Sequence, residues 1–109
     1  MTIKAEYDNK LDILHVYSSE IEKGVKGCIS FGYATLDISY DNKIIGLEIE
    51  EASKILNVNQ NILSELEEIN LIIRKEGNML LVGIFLAKGE IKTNFQFNFP
   101  SQNIQAIAH

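Results

Sequence analysis

Asp37 and Glu48 are the residues of this chain whose type and spacing come nearest to chemistry. Paired carboxylates can share acid–base work or hold a hard cation. The two acids flank Tyr40-Asp41-Asn42-Lys43, a segment of turn-forming residues between alternating apolar stretches. With Asp41-Asn42 as a two-residue turn, the numbers of facing residues sum to 83. Asp37 then faces Gly46, Glu48 faces Thr35, and the two acids are diagonal neighbours on one face of the hairpin. They are the candidate carboxylates of a metal site or of a small hydrolase. Carboxylates on strand faces are ordinarily solvated, and no further catalytic partner adjoins these two, so the sequence itself assigns no catalytic residue.

The other reactive residue types are sparse. His15 lies between Leu14 and Val16 in an extended segment, and His109 is terminal. Neither has a Cys or carboxylate at zinc-ligand spacing, and no tightly bound transition metal is expected. Cys28 is the single cysteine. It could act as a nucleophile with His15, but a buried structural thiol is the simpler expectation. Gly24, Gly27 and Gly32 have the wrong spacing for a phosphate loop, and no Gly-Lys-Ser/Thr follows them. No cofactor motif is present.

These residues ride on strands. Ile3–Tyr7 and Leu11–Tyr17 flank a first turn, Tyr7-Asp8-Asn9-Lys10, which the turn at Tyr40 repeats. Ser18–Gly27 is polar and reads as a loop. Ile29–Tyr40 is a long extended segment in which Gly32 marks a bulge or bend. Lys43–Glu50 follows the second turn. The period then changes. Glu51–Leu56 and Gln60–Glu68 read as a short helix pair or one kinked helix, with Asn57 as a stop and Asn59 as an N-cap.

Extended chain returns at Asn70–Lys75, Met79–Ala87 and Ile91–Phe99, and a last short strand is expected at Asn103–Ala108. Met79–Leu86 has no polar face, which predicts a central strand covered on both sides. Ile91–Phe99 alternates, with Phe95, Phe97 and Phe99 on one face and Lys92, Asn94, Gln96 and Asn98 on the other. The phenylalanine stripe is core by default; as a surface it is the candidate interface of a homodimer. The expectation is one domain over residues 1–109, of the α+β class. It has seven to eight strands in antiparallel hairpins and meanders, and one short or kinked helical segment near 51–68.

Composition narrows the function. At 109 residues, with 46% hydrophobic and 23% charged residues, the chain has ordinary globular usage. Fifteen acids outweigh ten bases, for a net charge of −5. The bases, nine lysines and Arg74, are scattered singly, so a nucleic-acid partner is not expected. The acidity favours a basic partner. One thiol, no apolar leader at the start and no apolar run of about 18 residues together suggest a cytoplasmic protein without a membrane partner.

The stretch Glu6-Tyr7-Asp8-Asn9-Lys10-Leu11-Asp12-Ile13-Leu14-His15-Val16 resembles the opening of a widespread family of small prokaryotic domains of unknown function. Leu36-Asp37-Ile38-Ser39-Tyr40-Asp41-Asn42-Lys43-Ile44-Ile45-Gly46-Leu47-Glu48-Ile49 is similar to that family's closing hairpin, and Glu51-Ala52-Ser53 to its exit into a helix. The likeness covers about residues 3–56 and leaves 57–109, a helix and C-terminal hairpins, uncovered. It implies a β-rich module with no established activity and no catalytic residues to carry over. It also implies a partner-binding role, such as an antitoxin that neutralises a small basic toxin. The leading expectation is a non-enzymatic interaction or structural module, homodimeric in one form.

Overall fold

A computed structural model describes residues 2–100. Its eight strands are all antiparallel and form two sheets with two single-turn helices between them in sequence, an α+β fold made mainly of β-structure. The strand expected at Asn103–Ala108 lies outside the described residues.

The first sheet holds β1 (Ile3–Asp8), β2 (Ile13–Ser18), β3 (Gly27–Phe31), β4 (Ala34–Ile38) and β5 (Ile44–Ile49), in the order β1-β2-β5-β4-β3. A 3-10 helix, Ser19–Lys23, carries the chain from β2 towards the far edge. Residues 29–40 are therefore not one long extended segment. Gly32, at φ +60°, opens a two-residue turn with Tyr33, and the chain doubles back as β4. β5 returns along β4 and closes on β2, with Leu14 opposite Ile49 and Val16 opposite Leu47.

The β4–β5 register sums to 83 from Ala34–Ile49 to Asp37–Gly46, as the sequence predicts, but the turn differs. Asn42 is left-handed at φ +63° and its N–H bonds to the Ser39 carbonyl, so Tyr40, Asp41 and Asn42 make a three-residue turn. Ile38 then pairs with Ile44, and Ile45 becomes an extra residue, a bulge. The physical reason is burial. In a two-residue turn Ile44 would face the polar side. With the bulge, Ile44 and Ile45 are both buried.

After β5, the helical segment expected near 51–68 takes the form of the helix pair, α1 (Ala52–Ile55) and α2 (Gln60–Leu63), the second ending before the expected Glu68. Asn57, at φ +54°, separates them, and the Asn59 side chain caps α2 by accepting from the Asn61 N–H at 2.8 Å. The second sheet follows as a meander: β6 (Glu68–Glu76), β7 (Met79–Lys88) and β8 (Ile91–Pro100).

One hydrophobic core lies between the sheets. Leu14, Val16, Leu36, Leu47 and Ile49 fill it from the first sheet and Ile73, Leu80, Val82, Ile84, Leu86 and Phe99 from the second, with Ala52, Leu56 and Leu63 from the helical region. Each Leu, Ile or Val among them contributes about 1.5–3 kcal/mol by leaving water. The ring centroids of Phe31 and Phe99, 5.0 Å apart, join β3 to β8. The phenylalanine stripe points inward: Phe99 is buried, and Phe95 and Phe97 pack half-buried against the core.

The expectation for β7 is met on one side only. β7 is the central strand and Leu80, Val82, Ile84 and Leu86 are buried. Its other face, Met79, Leu81, Gly83 and Phe85, has no second layer over it among the described residues and remains partly exposed.

Candidate functional site

The outer face of the first sheet is a polar lattice two residues deep. Register places Cys28, Asp37, Gly46, Tyr17 and Lys4 in one row, and Ser30, Thr35, Glu48, His15 and Glu6 in the next. Asp37 and Glu48 do share this face, diagonal to each other as predicted. Asp37, however, engages His15. The imidazole Nε2 is 2.7 Å from Asp37 Oδ2, although His15 stands opposite Glu48 and not opposite Asp37. The diagonal reach is open because the residue between them is Gly46; a Cβ there would overlap Asp37 Oδ2. The other carboxylate oxygen, Oδ1, accepts a hydrogen bond from the Cys28 thiol at 3.3 Å.

The electrostatics follow from this geometry. The Asp37 hydrogen bond holds the His15 pKa above its ordinary 6.5; burial opposes this, and the charges of Asp37, Glu48 and Glu6 support it. Burial alone would raise the Asp37 carboxyl, but the hydrogen bonds from His15 and Cys28 outweigh it and keep the carboxyl below its usual range. Burial, followed by the bond to Asp37, pushes the Cys28 thiol up. The thiol is thus kept protonated and is a poor nucleophile at neutral pH. Cys28 is exposed on the outer face of β3, not buried as expected, and Asp37 stands between it and His15. A Cys–His nucleophile would need the reverse order, with the imidazole against the sulfur. Both Asp37 oxygens are occupied by donors, and no group of three His, Cys, Asp or Glu among the described residues is placed to hold a metal ion.

A second polar cluster sits at the end of the first hairpin. Asp12, at φ +55°, directs its carboxylate at the start of α1. Oδ1 accepts from the Tyr7 hydroxyl at 2.6 Å and the Ser53 N–H at 3.0 Å, and Oδ2 from the Ser53 hydroxyl at 2.7 Å. The Asp12 carbonyl accepts from the Ala52 N–H at 2.9 Å. Asp12 therefore does from 40 residues away what Glu51, which makes no side-chain cap, does not. Burial works against the ionised form of Asp12, but the bonds from Tyr7 and Ser53 prevail and hold its pKa down. Burial and Asp12 together drive the Tyr7 phenol upward. Asp8 plays a different part: its Oδ1 accepts from the N–H groups of Lys10 and Leu11 and shapes the turn.

One concavity lies on neither polar cluster. It is an open groove of about 370 Å³ on the outer face of the second sheet, floored by Gly83 and walled by Ile72, Leu81 and Phe85. Asn94 and Gln96 line one side and Arg74 is its single charged residue. β7 reads as doubly buried, which hides this face in the sequence; the signal was Gly83, the one residue without a side chain in the apolar run 79–87. The Asp12–Ser53 clamp is hidden too, since no local spacing announces it.

Comparison of the chain with protein families, curated proteins and solved structures found no match.

Proposed function

We propose that this protein is a non-enzymatic interaction module that works in the cytoplasm. The observation that carries the reading is the uncovered outer face of β6–β8, where Ile72 is 52% and Met79 37% exposed beside Leu81 and Phe85. An exposed apolar stripe along β7, rimmed by polar and charged residues of β6 and β8, marks a contact surface on a small domain. The reactive side chains support the same reading from the other side of the molecule. His15, Asp37 and Cys28 satisfy one another, and the thiol is held in its unreactive form. No helix among the described residues is long and apolar enough to cross a membrane.

Site-specific photocrosslinking in cells tests the reading. A benzophenone side chain in place of Phe85 is expected to give discrete protein adducts. The same group in place of Ser30, exposed on the opposite sheet, is the control. A small basic protein among the adducts would identify the antitoxin-like form of the reading. Absence of adducts at Phe85 would overturn it.

A further inference from the structure

We propose that residues 103–108 of this chain add to the outer edge of β3 as a further antiparallel strand of the first sheet. The interaction-module reading concerns the second sheet, so the two stand or fall separately.

The edge itself calls for cover. β3 closes the strand order of the first sheet, and no strand among the described residues pairs with its outer side. Such an edge presents unpaired N–H and C=O groups, which proteins blunt with charge, proline or a covering segment. The other three edge strands are blunted: β1 by Lys4 and Glu6, β6 by Arg74 and Lys75, β8 by Lys92 and its terminal Pro100. β3, Gly-Cys-Ile-Ser-Phe, has neither a charge nor a proline. Its ladder with β4 runs from Gly27–Ile38 to Phe31–Ala34 without a bulge.

The course of the chain leads to this edge. Phe99 is the penultimate residue of β8, and its ring lies 5.0 Å from that of Phe31, the last residue of β3. The backbone thus leaves the second sheet beside one end of the β3 edge. Nine residues follow Pro100. The step from Pro100 to Asn103 spans about 10 Å, the usual separation of packed sheets. Residues 103–108 then reach about 20 Å, and the five residues of β3 need about 17 Å. Running back from Phe31 towards Gly27 makes the segment antiparallel to β3.

The residues suit the place. Asn103-Ile104-Gln105-Ala106-Ile107-Ala108 carries no charge and no proline. In extended form Ile104, Ala106 and Ala108 share one face. On the core side of β3 the half-buried Ile29 and Phe31 offer that face an apolar surface. The tether decides between this occupant and a free one. A strand held by a short link meets the edge at an effective concentration of order millimolar, so a second copy or another protein at micromolar concentration competes at a disadvantage of about a thousandfold.

Cys28, the single cysteine, is the probe, because it is exposed on the outer face of β3. Directly opposed residues of an antiparallel pair lie within the Cα separation that a disulfide spans. Asn103→Cys, Gln105→Cys, Ile104→Cys and Ala106→Cys are made singly in the full chain and oxidised with diamide. A disulfide within one chain is expected to form at least about tenfold faster from Asn103→Cys or Gln105→Cys, which share the face of Cys28, than from Ile104→Cys or Ala106→Cys. Equal or reversed rates, or no disulfide at all, would overturn the proposal. Disulfides between chains alone would give the edge to a second copy and overturn it as well. Of Ile104→Pro and Gln105→Pro, one removes an N–H from the new ladder and is expected to speed hydrogen exchange at the β3 amides at least about tenfold, with β4 unchanged. Exchange in β3 that neither variant alters would also count against the added strand and overturn it.

Discussion

At the scale of single residues, the outer polar face is governed by one glycine. Gly46 carries no side chain, and that lets Asp37 lean across β5 to His15. The pair makes stability depend on pH with a definite sign. The folded-state pKa of His15 is raised, so its contribution is complete below the ordinary value of 6.5 and is lost as pH rises through the folded value. The pKa of Asp37 is lowered, so its contribution is present above the ordinary value of 3.8 and is lost as pH falls through the folded value. The expected outcome is a melting temperature that declines on the alkaline side of 6.5 in the wild type and no longer does so in His15→Gln. Gly46→Ala forces Asp37 aside and is expected to cost about 1–3 kcal/mol in urea melts and to flatten the same slope. A slope that survives in both variants would assign it to other groups. Much of this was legible in the chain. Facing numbers that sum to 83 already set Asp37 against Gly46 and diagonal to Glu48. What the numbers hid was the diagonal partner on β2, because the β2–β5 pairing joins segments 30 residues apart and no turn between them fixes its register.

At the scale of elements, β7 separates what periodicity can report from what it cannot. From Met79 to Leu86 four residues are buried and four face outward, yet all eight are apolar or glycine, so alternation carries no information about which set is core. Register with β6 and β8 decides it. Leu80 meets Phe99 and Ile84 meets Phe95 on the core side, whereas Leu81 meets Arg74 and Asn98 on the outer side. Leu80→Ala is therefore expected to cost about 2–5 kcal/mol by opening a cavity in the core. Leu81→Ala is expected to cost less than about 1 kcal/mol when unfolding is followed at a dilution that leaves only single chains. Equal losses at the two positions would reverse the inner and outer faces. The helical region was legible for the opposite reason. Asn57 and Asn59 act locally, one through a left-handed backbone and the other through a cap, and local chemistry is what a short stretch of sequence records. The turn at Tyr40 falls between these cases. Its residues announce a turn, but its length was set by the burial of Ile44, a tertiary demand.

At the scale of the whole molecule, two polypeptide regions of different character share one core. The second sheet is a plain meander in which each strand pairs with its neighbour in sequence. The first sheet needs β5 to find β2 and needs Asp12 to find the start of α1, 40 residues later. That clamp has a consequence for the order of assembly. Closing so long a loop is entropically costly before the contacts at its end are made, so pairings of low sequence separation form ahead of it. The bonds from Tyr7, Ala52 and Ser53 to Asp12 then belong to the last stage of folding, after the rate-limiting barrier. In stopped-flow measurements Asp12→Asn, which keeps a residue tolerant of the left-handed backbone but removes the charge, is expected to accelerate unfolding roughly tenfold, equivalent to about 1.4 kcal/mol, and to leave the refolding rate within about twofold. Slowed refolding with unchanged unfolding would instead put the clamp in the nucleus. On the first outcome Asp12 acts as a latch: it sets how long the finished molecule stays shut, and has little influence on how fast it forms.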